Sequence, residues 1–285
     1  MRDLGFVVVG LGRAGRARVR DLQGLPGCRL VGTVSRRPEA GTLSLEQALR
    51  HPDVDIAVIA TENARHAPLA AAFLRAGKHA LVDFPLAQDA ATARQLFDLA
   101  RERGLCLHTE LIGLLTPDHA ALRAACRNRR PRQLNLAFTG GFDGWLAQEA
   151  AAGRWGNLAV ARLHTLWDLA GPLVLQDAAV QADVDGYLLQ AHFVGQDGCL
   201  VQLREERRPG LPRGRALTGT LADGSPLPEL PEMAQAGLFL RDLQACVERV
   251  HSGNERGAYV ADAAVLAVLD LADALSLTAS RSSAG

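Results

Sequence analysis

A glycine-rich turn that directly follows a buried-strand pattern constrains this chain most. Leu4–Val9 is a continuous apolar run, typical of a strand buried on both faces, and the turn after it leads into a helical pattern. The spacing G-x-G-x-x-G in this context indicates a loop whose amides bind a dinucleotide pyrophosphate. Gly10 permits the tight turn, Gly12 lets the backbone approach the phosphates, and Gly15 lets the helix pack closely. The predicted phosphate-binding residues are Gly10, Leu11, Gly12, Arg13, Ala14 and Gly15.

The rest of the first 110 residues alternates between strand-like and helix-like segments. The apolar runs are Arg29–Ser35, Asp55–Ala60, His79–Val82 and Leu105–Glu110, and the helical patterns are Arg16–Leu25, Leu45–Arg50 with Ser44 as its N-cap, His66–Ala76 and Ala90–Arg103. Alternation of this kind with short links predicts an α/β fold, in which a doubly wound parallel sheet forms a Rossmann domain.

The remainder of the chain has a different pattern. Its strand-length segments, separated by turn signals, are Gln133–Thr139, Val174–Val184, Tyr187–Val194, Cys199–Glu205 and Arg215–Leu221. Strands joined by tight turns predict an antiparallel sheet. The helical patterns are Leu158–Ala170, Ala236–His251 and Ala258–Thr278. We therefore expect an NAD(P)-binding Rossmann domain over residues 1–115 and a C-terminal α/β domain over residues 116–285, with the last helix a candidate to pack back on the first domain.

Composition argues against several classes of function. The 31 Lys and Arg residues balance the 31 Asp and Glu residues, so no overall field favours a nucleic acid or a membrane surface. The five cysteines favour buried thiols over a disulfide framework, and no His/Cys cluster has metal-ligand spacing. The apolar N-terminal run is too short for a signal peptide or a membrane span. We expect a cytoplasmic protein with no metal, nucleic-acid or membrane partner.

The end of the second predicted strand bears on the choice of cofactor. A site that prefers NADH usually places Asp or Glu there, to accept hydrogen bonds from the adenosine ribose. This chain has Ser35-Arg36-Arg37 instead. A hydroxyl and guanidinium groups suit a ribose 2′-phosphate, through charge-assisted hydrogen bonds. We therefore expect NADPH, with NADH as the alternative if one arginine only stacks on adenine or faces solvent.

Two further stretches identify a family. Ala60-Thr61-Glu62-Asn63 with His66, and Ala76–Pro85 with Asp83-Phe84-Pro85 at its end, resemble the glucose–fructose oxidoreductase/inositol dehydrogenase superfamily. Members join a Rossmann domain to an α/β domain with a large open antiparallel sheet. Within the superfamily the chain resembles the biliverdin reductase A family, through matches along its whole length. These are Val8–Gly15, Arg18–Leu22, Val34–Arg37, Ser44–Glu46, Gly77–Pro85, Leu107-His108, Glu110, Arg162-Leu163, Glu205-Glu206, Pro209–Leu211, Arg213–Arg215 and Phe239–Asp242.

The resemblance implies a reaction and a substrate. Such enzymes add a hydride from NAD(P)H to the C10 methine bridge of biliverdin, a linear tetrapyrrole with two propionates, and form bilirubin in haem catabolism. The pigment would lie on the open face of the antiparallel sheet. The resemblance also implies a monomer, and cofactor contacts at Thr61, Glu62, His66, Asp83 and Phe84.

Three residues are candidates for catalysis. Arg162, at a position that the family uses, would stabilise charge and order a water that delivers a proton, because an arginine is itself a poor acid. Its alternative is an arginine paired on a helix. Phe84 stands where the biliverdin reductases have tyrosine and the sugar dehydrogenases have lysine; it can wall the nicotinamide pocket but cannot donate a proton. Glu110 ends the fifth strand, where it would orient a ligand or would lie in water.

Other residues are candidates for substrate binding. Arg213 and Arg215 belong to a basic segment that would meet the pigment propionates or a cofactor phosphate, or would only guard a hairpin edge. The other arginines of this segment are Arg204, Arg207 and Arg208. His164 matches the catalytic histidine of the sugar dehydrogenases, but Phe84 and Val160 replace the other members of that machinery. A polyol or imine oxidoreductase is therefore the second interpretation, and a cofactor-binding regulator without activity is the third.

Overall fold

The apolar runs and helical patterns of the first 110 residues fold as alternating strands and helices. The computed structural model describes residues 3–37, 40–142, 144–229, 237–253 and 258–282. The first elements are β1 Leu4–Val9, α1 Arg13–Leu22, β2 Cys28–Val34, α2 Leu45–Arg50, β3 Ile56–Ile59, α3 Asn63–Arg75, β4 His79–Val82, α4 Ala90–Glu102 and β5 Leu107–Thr109, followed by a 3-10 helix at Ile112–Leu115. Ser44 caps α2 as expected, since its Oγ accepts from Gln47 N at 3.1 Å.

The first sheet is parallel throughout, which confirms the predicted fold class. Its strand order is β2-β1-β3-β4-β5. The order reverses between β1 and β3, and ligands of doubly wound sheets bind at the carboxyl ends of the strands beside such a reversal. The strands are near-continuous apolar runs because helices cover both faces. Their fully buried side chains include Phe6, Val8, Ile56, Val58 and Leu81.

A late segment of the chain returns to this sheet. The chain divides into two units, Met1–Leu115 with Gln235–Ala263, and Thr116–Ala234 with Ala264–Gly285. Helix α8, Leu238–His251, packs against α1 in the first unit, and Leu243 and Cys246 join the apolar cluster of β1 and β3. The segment that rejoins the Rossmann sheet is thus the penultimate helix, whereas the last helix belongs to the second unit from Ala264 onward. The predicted start of α8 at Ala236 lies outside the described residues.

The second unit contains the other sheet. Its elements are α5 Pro117–Arg129, β6 Pro131–Gly140, α6 Trp145–Ala151, α7 Trp155–Ala170, β7 Val174–Asp183, β8 Gly186–Val194, β9 Leu200–Arg207, β10 Gly214–Leu221 and α9 Asp262–Ser282. The strand order is β10-β6-β9-β8-β7. The pairs at β10–β6, β9–β8 and β8–β7 are antiparallel, but β6 and β9 run parallel. The predicted antiparallel sheet is therefore mixed, because β9 returns beside β6 after a long connection rather than through a hairpin.

One face of this mixed sheet is buried and carries helix α7. Alternate residues of the central strands supply its apolar side chains, among them Leu134, Leu136, Leu189 and Leu203. Gly156 lets α7 approach α9 closely, since a Cβ there would lie 1.9 Å from Ala272 O. By length and composition alone α9 could span a membrane, and core helices of soluble proteins have the same character.

Candidate active site

The carboxyl ends of the parallel strands bring the predicted cofactor residues to one edge of the first sheet. The phosphate loop follows β1, Ser35-Arg36-Arg37 follows β2, Thr61-Glu62 follows β3, Asp83-Phe84 follows β4 and Glu110 follows β5. This is the edge at which doubly wound sheets bind nucleotides. In the described part of the chain, no group of three His, Cys, Asp or Glu side chains is placed to hold a metal ion.

The loop after β1 has the shape of a phosphate cradle. Gly10 has a φ of +97°, and a Cβ there would lie 2.2 Å from Ala60 O. At Gly15 a Cβ would lie 1.9 Å from Gly10 O, which only glycine avoids. Gly12 precedes α1 without a side-chain cap and faces open space, so its backbone is accessible to a ligand. The residues present therefore fit a dinucleotide pyrophosphate at the N-terminus of α1.

Two charged residues lie on either side of this loop. Arg36 Nη1 is 2.9 Å from Glu62 Oε1, and both side chains are partly or largely exposed. Ser35 Oγ accepts a hydrogen bond from Arg37 N at 3.1 Å, so the hydroxyl shapes the turn after β2. The two arginines and the serine are thus near the position where an adenosine ribose would lie, but an acidic side chain is there as well.

His66 connects the turns after β3 and β4. Its buried ring has Nδ1 2.8 Å from Pro85 O and Nε2 3.1 Å from Thr61 O. The Phe84–Pro85 peptide bond is cis, and the Phe84 ring is partly exposed beside Asp83. His66 therefore supports the turns that carry the predicted nicotinamide contacts, and its ring nitrogens already face protein carbonyls.

A group of buried carboxyls lies at the ends of β4 and β5. Glu110 is 3% exposed, and its Oε1 accepts from Ile112 N at 2.9 Å. Burial, together with the charges of Asp83 and Asp242, raises the pKa of Glu110 to about 8. Burial also raises the pKa of Asp83, although Arg18 and His66 oppose the shift. Glu110 therefore carries a proton at neutral pH, rather than lying ionised in water.

The cation beside these carboxyls is Arg18, which sequence reasoning did not single out. Its fully buried guanidinium is 2.5 Å from Asp242 Oδ2 and 3.5 Å from Asp83 Oδ1. Asp242 Oδ1 also lies 2.8 Å from His108 Nε2 and accepts from the Tyr259 hydroxyl at 2.6 Å. Burial alone would raise the pKa of Asp242, but Arg18 and His108 hold it at about 2. The ionised partner of Arg18 is therefore Asp242.

The second unit contains a cluster built around one buried carboxylate. Glu205 is fully buried on the covered face of β9. Arg162 on α7 donates to it twice, from Nε at 2.9 Å and from Nη2 at 2.8 Å. Arg207 Nε and the Tyr187 hydroxyl donate to Oε1 at 2.8 and 2.9 Å. We call Arg162, Arg207, Tyr187 and Glu205 the arginine cluster. Two guanidinium groups share one carboxylate here, so the cluster has surplus positive charge.

The ring of Phe138 lies beside the arginine cluster and contacts a further arginine, Arg213. The guanidinium carbons of Arg162, Arg207 and Arg213 lie 4.7, 4.6 and 5.8 Å from the centroid of the Phe138 ring. Partial desolvation lowers the pKa of Arg215, whose side chain is still exposed; Arg162 and Arg213 lower it further, although Asp118 opposes them. Crowding of like charges is a condition that a bound anion would relieve. These arginines lie on the helix-covered face of the sheet, whereas the expected pigment site was the open face.

The structure separates other predicted residues from this cluster. Arg204 pairs with Glu206 at 2.7 Å on the opposite face of β9, and Arg208 pairs with Asp183 at 2.6 Å. His164 is 4% exposed. Burial lowers the pKa of His164 to about 3, although Asp168 opposes the shift, so its imidazole is neutral. A neutral, buried ring of this kind is poorly placed to meet a substrate.

The residues that sequence reasoning missed had only weak signals. Asp242 stands in Phe239–Asp242 and Glu205 in Glu205-Glu206, two of the stretches that carry the family resemblance. An Asp at position 242 or a Glu at position 205 does not indicate a role until the residues that it pairs with are known. Two partners of Asp242, Arg18 on α1 and His108 on β5, are more than a hundred residues away, so local pattern could not reveal these pairings.

Comparison with known proteins identifies the family of this chain. The model of a family described as "Oxidoreductase family, NAD-binding Rossmann fold" matches residues 4–111. Biliverdin reductase A of Mus musculus is 34% identical over 261 residues, covering 87% of this chain and 86% of the mouse protein. Biliverdin reductase A of Homo sapiens is 33% identical over 262 residues, with the same coverage.

Solved structures share the fold over almost the whole chain. Biliverdin reductase from Synechocystis sp. PCC 6803, in complex with biliverdin and NADP+, has a TM-score of 0.76 at 24% identity and covers 97% of this chain and 99% of its own. GenD2 from gentamicin A biosynthesis, in complex with NAD, has a TM-score of 0.82 at 21% identity and covers 100% and 95%. At these identities the structural likeness shows the fold alone.

Proposed function

Because the chain belongs to the oxidoreductase family with an NAD-binding Rossmann fold, and is homologous to biliverdin reductase A over most of its length, we propose that it reduces biliverdin to bilirubin with NADPH. The observation that carries the proposal is the arginine cluster, in which Arg162 and Glu205 belong to sequence stretches that resemble the biliverdin reductase A family. A linear tetrapyrrole with two propionates is the anion that such a cluster suits.

The first unit binds the cofactor and holds a proton. The bound nicotinamide dinucleotide supplies a hydride for C10 of the pigment, and a pyrrole nitrogen then takes a proton, so the reaction consumes NADPH and one proton. The phosphate loop and the turn at Ser35 hold the cofactor, and Asp83 and Phe84 line the nicotinamide position. Glu110, protonated at neutral pH, is the group that we assign to proton supply or to hydrogen bonding of the reacting site.

The second unit binds the pigment. Arg162, with Arg213 and Arg215, would hold the propionates or order a water near the reacting ring, and Glu205 fixes the direction of the Arg162 guanidinium. Phe84 replaces the tyrosine of the biliverdin reductases, so the proposed reaction does not use a hydroxyl at that position. The proposed enzyme is a cytoplasmic monomer.

The direct test is reduction of biliverdin by the purified chain with NADPH, followed by loss of biliverdin absorbance and appearance of the bilirubin band. We expect turnover, faster with NADPH than with NADH at limiting cofactor. If NADPH binds but the pigment is not reduced, while a polyol or an imine substrate turns over, the second interpretation replaces this one. Binding without turnover of any substrate would support a regulator.

The raised pKa of Glu110 predicts a pH dependence. If the Glu110 proton is used, kcat should fall as pH rises through about 8, because the carboxyl is then ionised. Folding gives a second readout. Stability linked to this proton is present below the ordinary carboxyl pKa and is lost as pH rises from about 4.5 to about 8.

Glu110→Gln should therefore lower kcat, abolish the alkaline limb of the pH profile, and flatten the pH dependence of unfolding over the same window. Glu102→Gln, which removes an exposed carboxylate of the same unit, is the matched control and should leave both profiles unchanged. An alkaline limb that persists unshifted in Glu110→Gln would show that another group supplies the proton.

A further inference from the structure

We propose that Glu62, through its ion pair with Arg36, sets how strongly this chain discriminates between NADPH and NADH. The inference rests on the nicotinamide cofactor of the proposed function, but not on the identity of the substrate that receives the hydride. It concerns binding of the adenosine half of the cofactor, at the opposite end of the dinucleotide from the nicotinamide ring.

Sheet order places the two residues on either side of the phosphate loop. Strand β1 lies between β2 and β3, so the turns that follow β2 and β3 flank the turn that follows β1. Arg36 comes from the β2 turn and Glu62 from the β3 turn, and their charged groups meet at 2.9 Å. The β3 turn is tightly fixed against the loop, because a Cβ on Gly10 would lie 2.2 Å from Ala60 O and 3.0 Å from Thr61 Cγ2.

The ion pair is exposed enough to be exchanged. The Arg36 side chain is 76% exposed and the Glu62 side chain 34% exposed, and pairs of this kind contribute little to stability because solvent screens them. A ribose 2′-phosphate carries more charge than a carboxylate and can accept two hydrogen bonds from one guanidinium. Arg36 would therefore leave Glu62 for the phosphate of NADPH at small cost.

The exchange leaves Glu62 in an unfavourable place. With NADPH bound, its carboxylate would face the 2′-phosphate across the Arg36 guanidinium, and like charges at such separations repel. With NADH bound, the same carboxylate can accept hydrogen bonds from the ribose hydroxyls. In NADH-binding sites an acidic residue at the end of β2 usually has that role. This chain has the uncharged Ser35 at that position. Glu62 thus weakens NADPH binding and supports NADH binding.

The test measures cofactor binding without any substrate. Dissociation constants of NADPH and NADH are measured by isothermal titration calorimetry on the full chain and on Glu62→Gln. We expect NADPH to bind roughly 3- to 10-fold more tightly to Glu62→Gln, and NADH to bind equally or more weakly. The dissociation constant of NADH divided by that of NADPH, called here the NADH/NADPH ratio, should therefore rise. Arg36→Gln should shift the ratio in the opposite direction, by weakening NADPH alone.

Folding and unspecific charge effects are controlled separately. Glu62 is the N-cap of α3 but makes no side-chain cap hydrogen bond, so its exchange for glutamine should leave the melting temperature unchanged. Glu46→Gln removes a carboxylate from another exposed pair of the same unit, with Arg50 at 2.9 Å, and should leave both constants as they are.

The outcomes separate the inference from the proposed function. An unchanged NADH/NADPH ratio in Glu62→Gln, or a fall in it, overturns the role of Glu62 even if biliverdin is reduced. A raised ratio supports that role even if biliverdin is not a substrate. Failure of the unaltered chain to bind either cofactor would overturn both proposals.

Discussion

Asp242→Ala is expected to lower the free energy of unfolding by about 3–5 kcal/mol, because it leaves the buried guanidinium of Arg18 without its ionised partner. Both side chains are fully buried and lie 2.5 Å apart. Asp83, at 3.5 Å, is a poor substitute, since its own pKa is raised by burial. The same substitution removes the acceptor of the Tyr259 hydroxyl and the partner of His108. Urea unfolding followed by circular dichroism would measure the loss.

The matched control is Asp98→Ala, which breaks an exposed ion pair with Arg101 in the same unit and should cost less than about 1 kcal/mol. Asp242→Asn keeps the shape of the side chain and removes only its charge. If Asp242→Asn were as stable as the unaltered chain, the ion pair would not be what holds α8 to α1, and apolar packing of Leu243 and Cys246 would be the better explanation.

Arg162→Ala is expected to lower kcat/KM for biliverdin by about 10²–10³-fold, the loss typical of removing one preorganised charged donor from a reacting site. Binding of NADPH should be unchanged, since the residues that fit the cofactor belong to the first unit. Arg162→Lys should recover only part of the activity, because an ammonium cannot make the two parallel hydrogen bonds to Glu205 that fix the guanidinium. Steady-state kinetics and NADPH titration of each variant give both quantities.

Arg204→Ala supplies the comparison for that experiment. Arg204 lies on the same sheet but pairs with Glu206 on the opposite face. Its loss should leave kcat/KM within about twofold, because solvent-exposed pairs contribute little. Equal losses in Arg162→Ala and Arg204→Ala would place the pigment elsewhere on the second unit. An unchanged kcat/KM in Arg162→Ala would remove the arginine cluster from the reaction.

Local pattern was sufficient for much of the first unit. Leu4–Val9 was recognisable as a strand because it is buried on both faces and has no polar positions. The loop from Gly10 to Gly15 was recognisable because the backbone geometry that requires its glycines is contained within six consecutive residues. Ser44 as N-cap of α2 and the edge that unites Arg36, Glu62 and Glu110 followed from the same rules.

Long-range pairing was beyond that reach. The parallel pairing of β6 with β9 depends on a strand that returns after some sixty residues, and turn signals between neighbouring strands cannot reveal it. Helix α5 was missed because its charged sequence, Pro117–Arg129, has a weak apolar periodicity. The burial of His164 depends on which side of α7 packs against the sheet. The division of the arginines between two faces depends in the same way on which side of β9 each one occupies.

The return of α8 to the Rossmann sheet also delays the completion of the first unit while the chain is being synthesised. Arg18 reaches the carbonyl of Phe239, its neighbour on α8, across 221 residues of chain. At about 5–20 residues per second, a ribosome needs roughly 10–45 s to make that stretch. During this time Arg18 lacks its closest carboxylate partner, Asp242, and Leu243 and Cys246 have yet to join the apolar cluster of β1 and β3. The first domain to leave the ribosome is therefore among the last parts of the molecule to be completed.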